Sequence, residues 1–117
     1  MRAALKGRQG ETLAAGFLEE KGYRILARNF RSRFGEVDII AQKDETVVFV
    51  EVKSWDAFPR AELEYSVNAG KRARIVETAR VFLAGGQIPD GVRVRFDVIL
   101  QSGGRFTHIE GAFGGEG

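Results

Sequence analysis

Apolar and polar positions follow two periods along this chain, and the switches between them mark seven elements. In "QGETLAAGFLEEKG", residues 9–22, Leu13, Ala14, Phe17 and Leu18 recur at helical spacing, and Gly22 is the stop. "YRILARNF" changes to the alternation of a strand, with Tyr23, Ile25 and Ala27 on one side, and "RSRFG" makes a turn. Residues 36–42 and 46–54 are two further strands joined by the polar turn "KDET". "WDAFPRAELEY" contains Pro59 and no clear period, so it reads as a loop. Residues 66–84 return to helical spacing through Val67, Ile75, Ala79 and Phe82, and the glycines at 85 and 86 end that helix. "VRVRFDVIL" is a fourth strand, and "RFTHIEGAF" is a fifth at a sheet edge, followed by a Gly-rich tail. The order α-β-β-β-α-β-β predicts an α/β sandwich built on a mixed sheet. With 117 residues, no repeat and no internal linker, it forms one domain over 1–117.

Three charges interrupt the second and third strands: Asp38, Glu51 and Lys53. A charge placed among buried strands is costly unless it is paired. If the hairpin turns at Asp44 and Glu45, Asp38 faces Glu51 and Glu36 faces Lys53. Alternation then puts Val37, Ile39 and Ala41 with Val48, Val50 and Val52 on one wholly apolar face. The other face carries Glu36, Asp38 and Ile40 with Val47, Phe49, Glu51 and Lys53. Directly opposed carboxylates destabilise a sheet and raise each other's pKa unless a cation sits between them. A hard divalent ion, Mg²⁺ or Mn²⁺, answers that need through Asp38, Glu51 and the backbone carbonyl of Val52. Lys53, on the same face, would reach the attacked phosphate or the water that attacks it. The competing account is a surface ion-pair cluster of Glu36, Asp38, Glu51 and Lys53.

Composition narrows the chemistry. There is no Cys and a single His, His108, which excludes a disulfide framework and a thiolate metal site and argues against a His-rich zinc centre. No run approaches the length of a membrane span, and "MRAALKGRQGE" lacks the apolar stretch of a signal peptide, so the expected location is cytoplasmic, with no membrane partner. The net charge is only +2, but it is unevenly spread: residues 1–34 hold eight Lys/Arg against three Asp/Glu, and residues 35–65 hold three against eight. A basic segment beside an acidic centre suits a polyanion partner meeting a cation site, although small domains are often uneven. Arg24, Arg28, Arg31 and Arg33 suit phosphate-backbone contacts, and Trp55 suits stacking on an unpaired base. An ordinary solvated face and a cover for the core edge are the plainer alternatives. Glu36 is expected as a partner of Lys53 or a group supporting the metal ligands rather than a ligand itself, Asp97 in "RFDVI" as a partner of a neighbouring Arg, and His108 as structural or exposed.

"D38…E51-V-K53" fits the D-x(n)-E-x-K pattern of restriction-endonuclease-like nucleases. "GE" at 10 and 11, "RN" at 28 and 29, "GEVDII", "VFVEVK", "SV…K" at 66–71 and "RFDVI" occur in order around it. Together they resemble the YraN-like family of small bacterial proteins, which are similar to archaeal Holliday junction resolvases. The resemblance covers about 10–100. It implies a restriction-endonuclease-like sandwich, metal ligands at Asp38 and Glu51, and a catalytic lysine at Lys53. It also implies a supporting acid at Glu11 on the first helix and a phosphate contact at Lys71 on the second. Relatives commonly carry Arg two positions after the lysine, where this chain has Trp55.

The function expected is that of a Mg²⁺- or Mn²⁺-dependent endonuclease acting on nucleic acid, DNA rather than RNA and branched or structured DNA in particular, by attack of a metal-bound water on phosphorus. A homodimer would bring two centres to the two strands. The alternatives are a nucleic-acid-binding module with little or no turnover that works with a partner protein, and a protein-interaction domain.

Overall fold

The computed structural model describes residues 2–54 and 69–114, with the side chains of the first helix described from position 9 onward. The elements run α1 (Arg2–Glu20), β1 (Arg24–Ser32), β2 (Gly35–Lys43), β3 (Thr46–Ser54), α2 (Ala69–Ala84), β4 (Arg93–Ser102) and β5 (Arg105–Phe113). This is the expected order, with α1 beginning well before residue 9. The five strands lie in sequence order β1-β2-β3-β4-β5, so β3 is central and β5 is at an edge, as its position in the chain implied. All neighbours are antiparallel except β3 and β4, which run parallel. A parallel pair needs a long crossover, and α2 lies in the segment that supplies it. The sheet is therefore mixed, with one helix on each face.

Each face has its own core. On the α1 side, Ala14, Ala15 and Leu18 pack on Ile39, Ala41, Val48, Val50 and Ile99. On the α2 side, Ile75 and Ala79 pack on Ile40, Val47, Phe49, Phe96 and Leu100. Strands buried on both faces should read as continuous apolar runs, and β3 does so through "VVFV". Leu13, expected in the apolar stripe of α1, is 45% exposed, and Ala15 is buried instead. Val67 and the segment 55–65 lie outside the described residues.

The end of α1 explains how β1 enters the sheet. The Gly22 N–H donates to the Glu19 carbonyl and the Tyr23 N–H to the Leu18 carbonyl, both at 3.0 Å, while Gly22 takes a φ of +95°. This pair of bonds is a Schellman cap, whose left-handed position favours glycine. Gly22→Ala is expected to cost about 1 kcal/mol by forcing a Cβ into that conformation. Urea unfolding would show a lower midpoint with an unchanged slope.

Two irregularities alter the expected faces. The β1–β2 register shifts between Ile25 and Ala27, so Ile25 packs on the α1 side and Ala27 on the α2 side, not together. Asn29, with a φ of +53°, interrupts the alternation of β1 without a further register shift, between the pairs Arg28–Ile39 and Phe30–Val37. Val37 accordingly packs with Ile40 and Phe49 on the α2 side, and not with Ile39 as strict alternation required.

Candidate metal and phosphate site

The hairpin closes at Asp44 and Glu45 with Lys43 opposite Thr46, and Asp44 takes the left-handed conformation that the turn demands. Its register is the expected one through Ile39 opposite Val50. Regular pairing stops there, one position before Asp38 and Glu51. The Val52 N–H instead donates to Asp38 Oδ2 at 2.8 Å, so a side-chain oxygen stands where a ladder bond would be. Backbone N–H and C=O of one extended residue leave the same side of a strand, so the Val52 carbonyl also projects toward β2.

Glu51 is 6% exposed, on the central strand. Its Oε1 lies 3.5 Å from the Lys71 ammonium of α2, and its Oε2 is buried without a hydrogen-bond partner. Burial first, then the neighbouring Asp38 carboxyl and its charge, push the Glu51 carboxyl up to about 8, against the opposing pull of Lys71 and Lys53. Lys53 is pushed below the usual lysine range, by burial first and then by its contact with Lys71, with Glu51 and Asp38 acting the other way. Glu11, reaching in from α1, is raised by burial and by the Asp38 charge, while a hydrogen bond to Asn29 and the Arg28 charge lower it. Its Oε1 is also buried without a partner. Glu11 of α1 and Glu51 of β3 thus each come into electrostatic contact with Asp38 of β2.

An open cleft of about 240 Å³ leads to this group, bordered by Glu36, Asp38 and Glu51 of the strands and Lys71, Arg74 and Ile75 of α2. A larger recess of about 730 Å³ lies at the other end of the hairpin, near Lys43, Arg93 and Glu110. No buried carboxylate oxygen without a partner lines it. The smaller cleft is the chemically distinctive one.

Among the described residues no three His, Cys, Asp or Glu side chains form a metal-binding group. The donors present are two carboxylates and a backbone carbonyl. That set fits Mg²⁺ or Mn²⁺, which commonly bind through one or two carboxylates and keep several waters. The unpartnered Glu51 Oε2 next to Asp38 is the structural observation in favour of such an ion.

The remaining expected residues are dispersed. Arg24, Arg28 and Arg31 lie along the edge strand β1, and Arg33 is in its turn. Arg24 donates to Gln42 Oε1 at 3.3 Å and Arg28 to Thr12 Oγ1 at 3.0 Å, while Arg33 stacks on Phe34 with 4.8 Å to the ring centroid. Arg31 donates to Glu36 at 2.7 Å, so Glu36 pairs with Arg31 and not with Lys53. The cause is the early end of the β2–β3 ladder, which leaves no Glu36–Lys53 pair. Trp55 lies outside the described residues. Arg74 also stands on the cleft wall; no motif marks it, although three residues after Lys71 on a helix is the same face.

Asp97 and His108 belong to a separate buried network. Arg95 donates to both Asp97 oxygens at 2.8 Å and to Tyr23 Oη at 2.7 Å. His108 Nε2 bonds Asp97 Oδ2 at 2.7 Å, and the Gly111 N–H bonds Oδ1 at 3.0 Å. Lys21 Nζ lies 2.7 Å from His108 Nδ1. An ammonium only donates, so Nδ1 accepts and Nε2 carries the proton given to Asp97.

Comparison with known proteins agrees with the motif set. The model of the "Uncharacterised protein family UPF0102" matches residues 10–100. A UPF0102 protein of Persephonella marina is 44% identical over 109 residues, covering 93% of each chain. One from Nitrosomonas europaea is 45% identical over 112 residues, covering 92% of this chain and 90% of its own. One from Treponema pallidum is 47% identical over 96 residues, covering 82% and 76%. No helix among the described residues is long and apolar enough to cross a membrane.

Proposed function

This chain belongs to the uncharacterised protein family UPF0102, the YraN-like family, and we propose that it is a metal-dependent phosphodiesterase acting on nucleic acid, with structured DNA as its substrate. The observation that carries this reading is the pair formed by Asp38 and the buried Glu51, with Glu51 Oε2 lacking a partner. The antiparallel β1-β2-β3 meander, the crossover helix and the parallel β4 support a restriction-endonuclease-like fold.

Asp38 and Glu51, with the Val52 carbonyl, would hold one Mg²⁺ or Mn²⁺. A divalent ion there supplies positive charge to the scissile phosphate and makes water more acidic. Hydrolysis adds water at phosphorus and breaks one P–O bond. Lys53, held next to the carboxylates, orients that water and stabilises the charge that develops on the phosphate. Glu11, behind Asp38, accepts hydrogen bonds from water at the edge of the site. The arginines of β1 and Lys71 bind the phosphate backbone. The protein works in the cytoplasm, and as a dimer it would present two such centres.

Calorimetry with Mn²⁺ and Mg²⁺ is the test, on the native protein and on Asp38→Asn. Binding at low stoichiometry in the native protein, lost in the variant, is the expected result. Its cleavage of branched DNA would then disappear in Lys53→Ala while metal binding stayed. A folded native protein that takes up neither ion would sink the reading.

One observation favours a second function. Lys71 already places a cation on Glu51 Oε1, as suits a binding module without turnover. For such a module, DNA affinity would survive Asp38→Asn and no ion would bind.

A further inference from the structure

The α2 wall of the cleft carries a cation that no other group in the described structure uses. On α2, positions 71, 74, 75 and 78 share one face. Ile75 and Thr78 are buried against the sheet, so Lys71 and Arg74 stand at the margin, over the carboxylates. Several other charged groups around the cleft have neighbours among the described residues. Glu36 is paired with Arg31, Asp38 accepts the Val52 N–H, and Glu51 Oε1 is met by Lys71. Arg24, Arg28 and Arg33 each have a neighbour on or beside β1. The Arg74 guanidinium has no ion pair or hydrogen bond among the described residues, although it borders the cleft.

Its stem is held in place. Ser32 Oγ and Thr78 Oγ1 are 2.8 Å apart, and the Phe34 N–H donates to Ser32 Oγ at 3.0 Å, which ties the β1–β2 turn to α2. Gly35 then sits so close that a Cβ there would lie 3.3 Å from Arg74 Cβ. The absence of that Cβ lets the turn press on the base of the arginine. A guanidinium presents a planar fork of donors that matches two phosphate oxygens, and it keeps its charge at every working pH.

We infer that Arg74 is a phosphate-binding residue, seating one backbone phosphodiester of a nucleic acid on the α2 wall of the cleft, opposite the carboxylates. This rests on the nucleic-acid reading above and adds to it the position of the strand, which passes along the α2 wall of the cleft, over the carboxylates. The β1 arginines then lie farther along its path. Arg74 serves the module reading equally well, because seating a phosphate needs no turnover.

The test measures affinity for fluorescein-labelled duplex and branched DNA by anisotropy over a range of salt, with no divalent ion present so that nothing is cut. Each phosphate that a cation neutralises contributes about 0.9 to the slope of log K against log salt on duplex. Arg74→Gln is expected to reduce the slope by about one, so the native-to-variant affinity ratio changes by a factor of roughly four between 50 and 200 mM salt. Arg74→Lys keeps the charge and should keep the slope. Arg80→Gln is the control, because Arg80 is on the same helix but bonded to Glu77 at 2.9 Å and away from the cleft.

The inference is overturned if Arg74→Gln leaves the slope unchanged, if Arg80→Gln lowers it equally, or if the native protein binds neither DNA. Failure of the hydrolase reading looks different. A slope that falls with Arg74→Gln in a protein that binds neither Mg²⁺ nor Mn²⁺ would leave the phosphate seat standing and remove only catalysis.

Discussion

Asp97→Ala is expected to destabilise the protein by about 3–5 kcal/mol, the range for breaking a buried charge pair from one side. Asp97 is fully buried on β4 and accepts four hydrogen bonds, two from Arg95 and one each from His108 and Gly111. Removing it leaves a guanidinium, a buried imidazole N–H and a backbone N–H without their acceptor. Each such orphan costs more than the bond it made. Against a total stability of about 5–15 kcal/mol, this should lower the melting temperature by at least about 10 °C. The pH dependence identifies the cause. Burial alone would raise the Asp97 carboxyl, but the bonds from His108, Arg95 and Gly111 outweigh it and hold it at about 2, below the ordinary 3.8. A carboxyl depressed in the fold contributes stability above its unfolded pKa and loses it as pH falls through the folded one. The gap between native and variant melting temperatures should therefore be full at neutral pH and narrow between 3.8 and about 2. A gap that stayed constant across that window would mean lost packing and not lost charge.

This network shows where sequence patterns stop being informative. An acid inside "VRVRFDVIL" signals that a partner exists, and the adjacent Arg95 was legible because alternate residues of a strand share a face. His108 was not, since its closeness to Asp97 comes from the β4–β5 pairing of Ile99 with His108, and nothing in the chain fixes that register beforehand. The hairpin was different. A two-residue turn between two alternating apolar runs leaves one sensible register, and Ile39 opposite Val50 follows from it. The same logic failed two positions on, at Val37 and Glu36, because the left-handed Asn29 and the end of the ladder break the alternation on which it relies. The irregularity occurs beside Asp38. Loss of regular pairing there frees the Asp38 carboxylate to take the Val52 N–H and leaves the cleft open. Periodicity thus brought the charges to one end of the hairpin, but it could not give the partner of Glu36 or bring Arg74 to the cleft wall.

The second large effect is a gain of stability on damaging the site. Glu51→Gln is expected to raise stability at pH 8, by up to about 5 kcal/mol, while removing metal binding. The Glu51 carboxyl is raised from 4.5 to about 8 in the fold, chiefly by burial and then by Asp38. For an acid raised in this way, the folded protein holds a proton that the unfolded chain would release. Its contribution is complete below 4.5 and disappears as pH climbs through about 8, so the native protein weakens across that window. A neutral amide has no such proton to lose, and it can donate to Asp38 as the protonated carboxyl does. Native and variant should then melt close together at pH 4.5 and separate toward pH 8, with the variant higher. Saturating Mg²⁺ at pH 8 should close the gap from the native side only, because an ion bound to the folded state alone stabilises it by mass action. On the metal reading proposed above, a bound cation offsets that cost. Parallel pH profiles for the two proteins, or a variant that melts lower at pH 8, would show that Lys71 and Lys53 already balance Glu51. The acid pair would then be an ordinary ion-pair cluster, and the metal reading would fall with it.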